Sequence, residues 1–217
     1  MDIQEAIKLR HSVRVYTDRP VEEEKLLAIM EAAILAPNGG NSQPWDFILI
    51  DEPAKRNEMA DFINEVHNLY FRKARRDKSD KVKEGDIIYE TLYQVPLFIV
   101  ACLNKKYYRM DDDYLEIQHF WDIQSVCAAF ENIVLMARAL GLGTCWMGAG
   151  SLQEEKLRKI LGIPEGVKVV AITPLGYPKN FSQQPPRMPL ESVVHKNRWE
   201  KKDYKLAKIS LSDVTKR

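Results

Sequence analysis

Two arginines four residues apart with a hydroxyl between them, Arg10-His11-Ser12-Val13-Arg14, are the side chains of this 217-residue sequence best suited to holding an anion. Guanidinium forks meet phosphate or carboxylate oxygens bidentately, and a serine hydroxyl can complete the shell around a phosphate. Alone, such a pair is ordinarily solvated, because arginines are mostly exposed. A second cluster gives it weight: Pro37-Asn38-Gly39-Gly40-Asn41-Ser42-Gln43-Pro44-Trp45. Its glycines permit positive backbone torsions and a close approach of the chain to something flat or bulky. Asn41, Gln43 and Trp45 add amide groups and an aromatic wall that a plain turn does not need. A third stretch, Gly143 to Gly148, has two glycines at phosphate-loop spacing but no following Lys-Ser/Thr, and Gly141-Leu142-Gly143 does not open a GxGxxG. A dedicated dinucleotide domain is therefore not expected.

The elements that must position these clusters are read from hydrophobic period. Ile3, Ala6, Ile7 and Leu9 predict a short helix over 2–9, and Val13 and Val15 an extended continuation. Leu26, Leu27, Ile29, Met30, Ala33 and Ile34 predict a helix over 22–36, opened by Glu22-Glu23-Glu24 and closed by Pro37. A strand follows at 47–50, and 53 to about 83 reads as helix. Val95 to Ala101 is a buried strand, and 105–114 a polar aromatic loop. The spacing predicts a central helix over 122–140, capped by Gly141. Strands at 143–147 and 167–175 flank a helix over 153–161. Strands alternating with helices in this way point to a mixed, mainly antiparallel sheet covered by helices, an α+β chain forming one domain over 1–217. The tail from Lys179 is Pro-rich and polar, and reaching across a partner subunit is an economical explanation for it.

Composition narrows the function classes. With 32 basic and 31 acidic residues the net charge is +1, so nothing global asks for nucleic acid or a membrane surface. The basic run Arg72 to Lys78 reads as a solvated helix face. Cys102, Cys127 and Cys145 lack a CxxC or Cys/His spacing, so they read as buried free thiols rather than a zinc site or a disulfide framework. The N-terminus lacks the features of a signal peptide, and the longest apolar run is too short to span a bilayer, so a cytoplasmic protein is expected. No GxSxG, HExxH or Walker lysine occurs, and His11, His67, His119 and His195 form no ligand motif. His119-Phe120-Trp121 could line a pocket, although aromatics beside a buried helix more often belong to the core.

The pair of motifs, RHSVR and PNGGNSQPW, separated by a helix and followed by a strand, closely resembles the N-terminal signature of the nitroreductase family of FMN-dependent oxidoreductases. The resemblance runs to Trp199. It implies an intertwined homodimer with an exchanged C-terminal arm, tightly held FMN, and NADH or NADPH as a transient donor docking on the flavin. Hydride would pass to the flavin N5, and a small electron-poor acceptor such as a nitroaromatic or quinone would then enter at the same place. Carried over by motif, Arg10, Ser12 and His11 would hold the FMN phosphate and ribityl chain, and Arg14 would lie near the pyrimidine edge. Asn38 and Asn41 would approach from the second subunit, with Gln43 and Trp45 supporting their loop. In the Trp146-Met147-Gly148 turn the backbone of Met147 and Gly148 would lie near N5. Pro186-Arg187-Met188-Pro189-Leu190-Glu191 resembles the family's Arg-Lys-Pro-Leu-Glu segment, so Arg187 would return to the phosphate, with Lys196 and Arg198 as further candidates. Met188 stands where a lysine is common, which would remove one cation from the site.

Two other readings fit the sequence. One is a reductive dehalogenase of the iodotyrosine-deiodinase kind, with Glu65, Tyr70 and a lysine such as Lys81 in a lid within 65–115. The other is a non-catalytic flavin-binding or sensing protein that uses the same polar segment to contact a partner.

Overall fold

The computed structural model describes residues 1–74, 90–105, 111–181 and 184–201, the side chains of 71–74, 112, 149 and 151 excepted. Lys81 and the basic residues 75–78 lie outside the described residues. Helix α1 (Ile3–Leu9) starts where the Asp2 carboxylate accepts the Glu5 N–H at 2.9 Å. Helix α2 (Glu23–Ile34) carries Glu23 and Glu24 in its first turn and stops before Pro37. Strand β1 (Trp45–Ile50), helix α3 (Pro53–Ala74) and strand β2 (Leu97–Leu103) follow. Next come helix α4 (Leu115–Ala139), strand β3 (Gly143–Thr144), helix α5 (Glu154–Leu161), strand β4 (Lys168–Gly176) and a single turn, α6 (Leu190–Val193).

The four strands pair in the order β1-β2-β4-β3, every pair antiparallel. The expected mixed sheet is thus antiparallel among its named strands. Among the described residues the one parallel contact is an isolated bridge between Ser12 and Thr144. Strand β2 is buried along its whole length, as its uninterrupted apolar sequence requires. Leu97, Ile99, Ala101 and Leu103 face the core formed with α2 and α4, whereas Phe98, Val100 and Cys102 face the core formed with α3 and α5. The sheet is covered on both sides, an α+β architecture.

Helix α4 begins at Leu115, seven residues before the periodicity suggested. Its first turns expose Ile117, Phe120 and Trp121, so the apolar stripe that marks the rest of the helix is absent there. Its C-terminal end is as expected: Gly141 has φ +79°, and the Leu142 N–H reaches the Ala137 carbonyl at 2.8 Å, a Schellman closure. Cys102 and Cys145 are buried and Cys127 is half-buried, all three as free thiols. Among the described residues no helix is long and apolar enough to cross a membrane.

One glycine fixes how the N-terminal segment meets the sheet. A Cβ at Gly143 would stand 2.8 Å from Cγ2 and 2.9 Å from Cβ of Val13, a β-branched side chain with little rotamer freedom. Gly143→Ala is therefore expected to cost about 1–3 kcal/mol through overpacking. Urea denaturation of the variant is the check, and an unchanged midpoint would mean that the 10–17 segment is not clamped against β3.

Candidate active site

The RHSVR segment begins as α1 ends. Arg10 turns to extended backbone (φ −66°, ψ 128°) while its N–H still reaches the Ala6 carbonyl. From there residues 12–17 run along the outer edge of the sheet as an added strand. The Val13 N–H donates to the Thr144 carbonyl at 2.8 Å, the Thr17 N–H to the Tyr177 carbonyl at 2.8 Å, and the Lys179 N–H to the Val15 carbonyl at 3.0 Å. Tyr16 is fully buried and its hydroxyl donates to the Val13 carbonyl at 2.6 Å. Thr91 Oγ1 donates to the Arg14 carbonyl at 2.9 Å. With Val13 and Tyr16 anchored in the core, Arg14 is held half-buried at the rim.

Positive charge at this turn has little to neutralise it. Among the described residues the Arg10 guanidinium makes no hydrogen bond or ion pair, and that of Arg14 makes only a 3.5 Å contact to the Ser12 carbonyl. Glu131 on α4 is the acid within electrostatic reach of Arg10, and burial raises its pKa while Arg10 opposes the rise. His11 is buried at 6% exposure, and its Nδ1 donates to the Leu9 carbonyl at 3.1 Å in the neutral tautomer. Burial first, then the charges of Arg138, Arg10 and Arg14, lower its pKa. His11 therefore stands as a neutral ring behind the turn, not as a further cation within it. On α3, His67 is held down to about 4 by burial and by the charge of Arg14.

The 143–148 stretch lies against the same turn. Ser12 is within hydrogen-bonding reach of the Cys145 thiol, and burial pushes that thiol's pKa up. Trp146 stands edge-on to Phe130 with ring centroids 4.6 Å apart. The Met147 N–H donates to the Ile172 carbonyl at 2.9 Å and the Ile172 N–H returns the bond at 3.0 Å. The expectation that Met147 offers its N–H to a flavin thus meets a competing bond within the sheet. A Cβ placed on Gly148 would meet nothing within 4 Å, so that side of the turn is open.

The 38–41 loop is built by its own amides. Asn38 Oδ1 accepts the Gln43 N–H at 2.9 Å and its Nδ2 donates to the Ala36 carbonyl at 3.2 Å. Gly40, Asn41 and Gln43 take positive φ, and Gly39 and Gly40 face open space. Trp45 is buried beneath the loop, whereas Gln43 is exposed. The loop rests on α4 through the Gly39 N–H, which donates to Ser125 Oγ at 3.3 Å. Ser125 and Glu131 are six residues apart, about 9 Å along the helix, and Arg138 is about 20 Å from Ser125. Within one chain, α4 therefore separates this loop from the arginine turn.

The C-terminal segment meets that turn within the one chain, through Gln184. Gln184 Nε2 donates to the Arg10 carbonyl at 2.7 Å. Arg187, three residues on, is exposed and donates to its neighbours, the carbonyls of Pro185 (3.0 Å) and Pro186 (3.4 Å). Lys196 and Arg198 are also exposed, beside a stacked His195–Trp199 pair. Sequence reading missed Gln184, Glu131, His67 and Arg138. Arg138 sits in the last turn of α4, where a basic residue is accounted for by the helix dipole alone.

A neutral, half-buried His67 links folding to pH. Its folded pKa of about 4 lies below the ordinary 6.5, so the unfolded chain binds more protons in between and stability falls as pH drops through that window. The melting temperature should decline from pH 6.5 towards 4, and less steeply in His67→Gln. Parallel slopes for both proteins would contradict this placement of His67.

The sequence matches the Nitroreductase family over residues 7–177. A protein of Archaeoglobus fulgidus with the provisional name NADH dehydrogenase/NAD(P)H nitroreductase is 32% identical over 205 residues, covering 91% of this chain and 100% of its own length. An iodotyrosine deiodinase of Nematostella vectensis is 26% identical over 89% of this chain and 74% of its own. The fold is that of the Vibrio harveyi NADPH:FMN oxidoreductase solved with NAD+, with a TM-score of 0.72 at 21% identity over 93% of this chain and 79% of that one. Taken with the antiparallel sheet and the arginine turn fixed to its edge, these matches establish that the chain is an oxidoreductase and belongs to the nitroreductase family.

Proposed function

We propose that this protein is an FMN-dependent NAD(P)H oxidoreductase that delivers electrons to a small electron-poor acceptor such as a nitroaromatic or quinone, donor and acceptor using one site in turn. The observation that carries this reading is the pair of guanidiniums, Arg10 and Arg14, which form no salt bridge among the described residues and sit on a turn bonded to the sheet edge. Bound FMN would supply the electron-carrying chemistry, and the protein binding, orientation and electrostatics. Arg10 and the Ser12 hydroxyl suit the phosphate end, joined by Arg187 through the Gln184 bridge to the Arg10 carbonyl. Arg14, at the half-buried rim, suits the end of the ring where negative charge collects on reduction. A cation about 4 Å from such a charge stabilises it by on the order of 4 kcal/mol at an effective dielectric of 20. Trp146 and the open side of Gly148, which follow the Cys145 that both arginines influence, would border the ring.

A homodimer accounts for two further features. Among the described strands β1 lies at the end of the sheet, beside a groove of about 420 Å³ lined by Met30, Ile34, Trp45, Phe47 and Leu49. Leu27 and Ile34 on α2, Leu35 at its C-terminal cap, and Leu190, Val193, Val194 and Trp199 on the arm are exposed, which suits a self-association surface. In such an assembly Asn38 and Asn41 of one subunit can approach the arginine turn of the other. The same need explains why the loop and the turn lie apart on α4 within one chain.

The deiodinase reading keeps a specific support, the 26% identity to the Nematostella vectensis enzyme. Glu65, however, is paired with Lys156 on α5 at the surface. Tyr70 is half exposed at 48%. The non-catalytic reading is set aside by the enzymes among the relatives.

Titrating the purified protein with FMN should quench flavin fluorescence, and NADH or NADPH should then bleach the flavin band. A colourless protein whose addition leaves the FMN spectrum unchanged would contradict the proposal. Arg10→Ala should weaken FMN binding by about 1.5–3 kcal/mol, the worth of a charged hydrogen bond. Turnover of a nitroarene compared with a halotyrosine separates the two substrate classes: faster loss of the halotyrosine would select the deiodinase reading.

A further inference from the structure

A three-tier stack joins α4, the C-terminal arm and the RHSVR turn. The Arg138 guanidinium carbon lies 3.7 Å from the centroid of the Phe181 ring, and Phe181 meets His11 edge-on with centroids 5.9 Å apart and planes at 85°. Among the described residues Arg138 Nε is buried with no hydrogen-bond partner, so the ring face is the contact shown to compensate that desolvated edge. Phe181 itself is 45% exposed. Three residues further on, Gln184 Nε2 donates to the Arg10 carbonyl at 2.7 Å and reaches the Ile7 carbonyl at 3.4 Å. These contacts tie the arm to the turn on both sides of residues 182–183. Arg187 follows directly after the tie.

We propose that Arg138 and Phe181 are positioning residues for the anionic end of the cofactor site, clamping the arm so that Arg187 is presented beside Arg10. The inference rests on the FMN reading above. Neither residue needs to touch the cofactor. Arg138 holds the Phe181 ring by cation–π attraction, Phe181 covers His11, and His11, bonded to the Leu9 carbonyl, fixes the backbone from which Arg10 projects. His11 serves here as a neutral wedge, which explains a histidine at a position where a cation would have strengthened the site directly. The clamp also compensates for Met188, which stands next to Arg187 where a second cation could have held the arm by charge.

The test is a split between two flavins that differ in the phosphate alone. Wild type, Phe181→Leu, Phe181→Trp and Arg138→Leu are titrated with FMN and with riboflavin. Phe181→Leu and Arg138→Leu should each weaken FMN about five-fold, the scale of one partly exposed cation–π contact, and leave riboflavin within about two-fold. Phe181→Trp, which keeps an aromatic face, should retain FMN affinity. An unchanged FMN affinity in Phe181→Leu would overturn the proposal, and so would equal losses for both flavins, because a merely structural residue lowers both. Trypsin cleavage after Arg187 is the readout that needs no flavin. It should be faster in Phe181→Leu than in wild type, and equal rates would overturn the clamp. A wild type that binds no FMN while keeping this difference in cleavage would refute the functional reading and leave the clamp standing.

Discussion

The geometry of the site depends on one backbone hydrogen bond, from the Val13 N–H to the Thr144 carbonyl. It lets a segment that is neither helix nor named strand continue the sheet beyond β3. Gly143 allows the approach by leaving room for the Val13 side chain, and the buried Tyr16 hydroxyl closes the segment on itself. Residues 177–179 extend the same edge, so the turn is held between the strand that precedes the 146–148 loop and the arm that leads to Arg187. The arginines thereby gain a fixed base, which a loop in solvent would not give them. Preorganisation of this kind lowers the cost of ordering long side chains around a ligand.

Electrostatics supplies the second constraint. A folded chain of nearly balanced charge could have paired Arg10 and Arg14 with carboxylates, yet neither forms a salt bridge among the described residues, and burial biases Glu131, which interacts with Arg10, towards its neutral form. His11 and His67 are both pushed to the neutral side, so positive charge at the turn is limited to groups that cannot release a proton. Unneutralised guanidiniums cost stability in the free protein, and an anion that occupies the turn recovers that cost. In the proposed flavin site the same asymmetry would favour a reduced, more anionic ring over an oxidised one.

Much of this was legible in the sequence. Strand β2 was readable because a strand covered on both faces needs an unbroken apolar run, and α2 because its stripe and its stop at Pro37 agree. The end of α4 could be placed from Gly141, but its beginning could not: Phe120 and Trp121 lie outside the core, and their exposure removes the periodicity that would have marked the helix. RHSVR and the Asn38 loop were found as motifs. Their physical relation was not, because pairing of residues 12–17 with β3 and with 177–179 is a long-range event that neither stretch encodes locally. Met147 shows the opposite limit. Its place in the turn was read from the resemblance, while the bond of its N–H to Ile172 depends on β4, more than twenty residues away. Arg138 escaped notice because a basic residue at a helix end has a local explanation that hides a tertiary one.

If the added edge strand is what organises the site, its amides must be as hard to open as the sheet interior. Native-state hydrogen exchange measures this directly at Val13, Thr17 and Lys179, whose N–H groups bond to Thr144, Tyr177 and Val15. The account requires all three to exchange with the slow rates of β2 amides such as Val100. Exchange at Val13 as fast as at the 39–41 loop, with β2 still protected, would mean that the arginine turn is not built into the sheet.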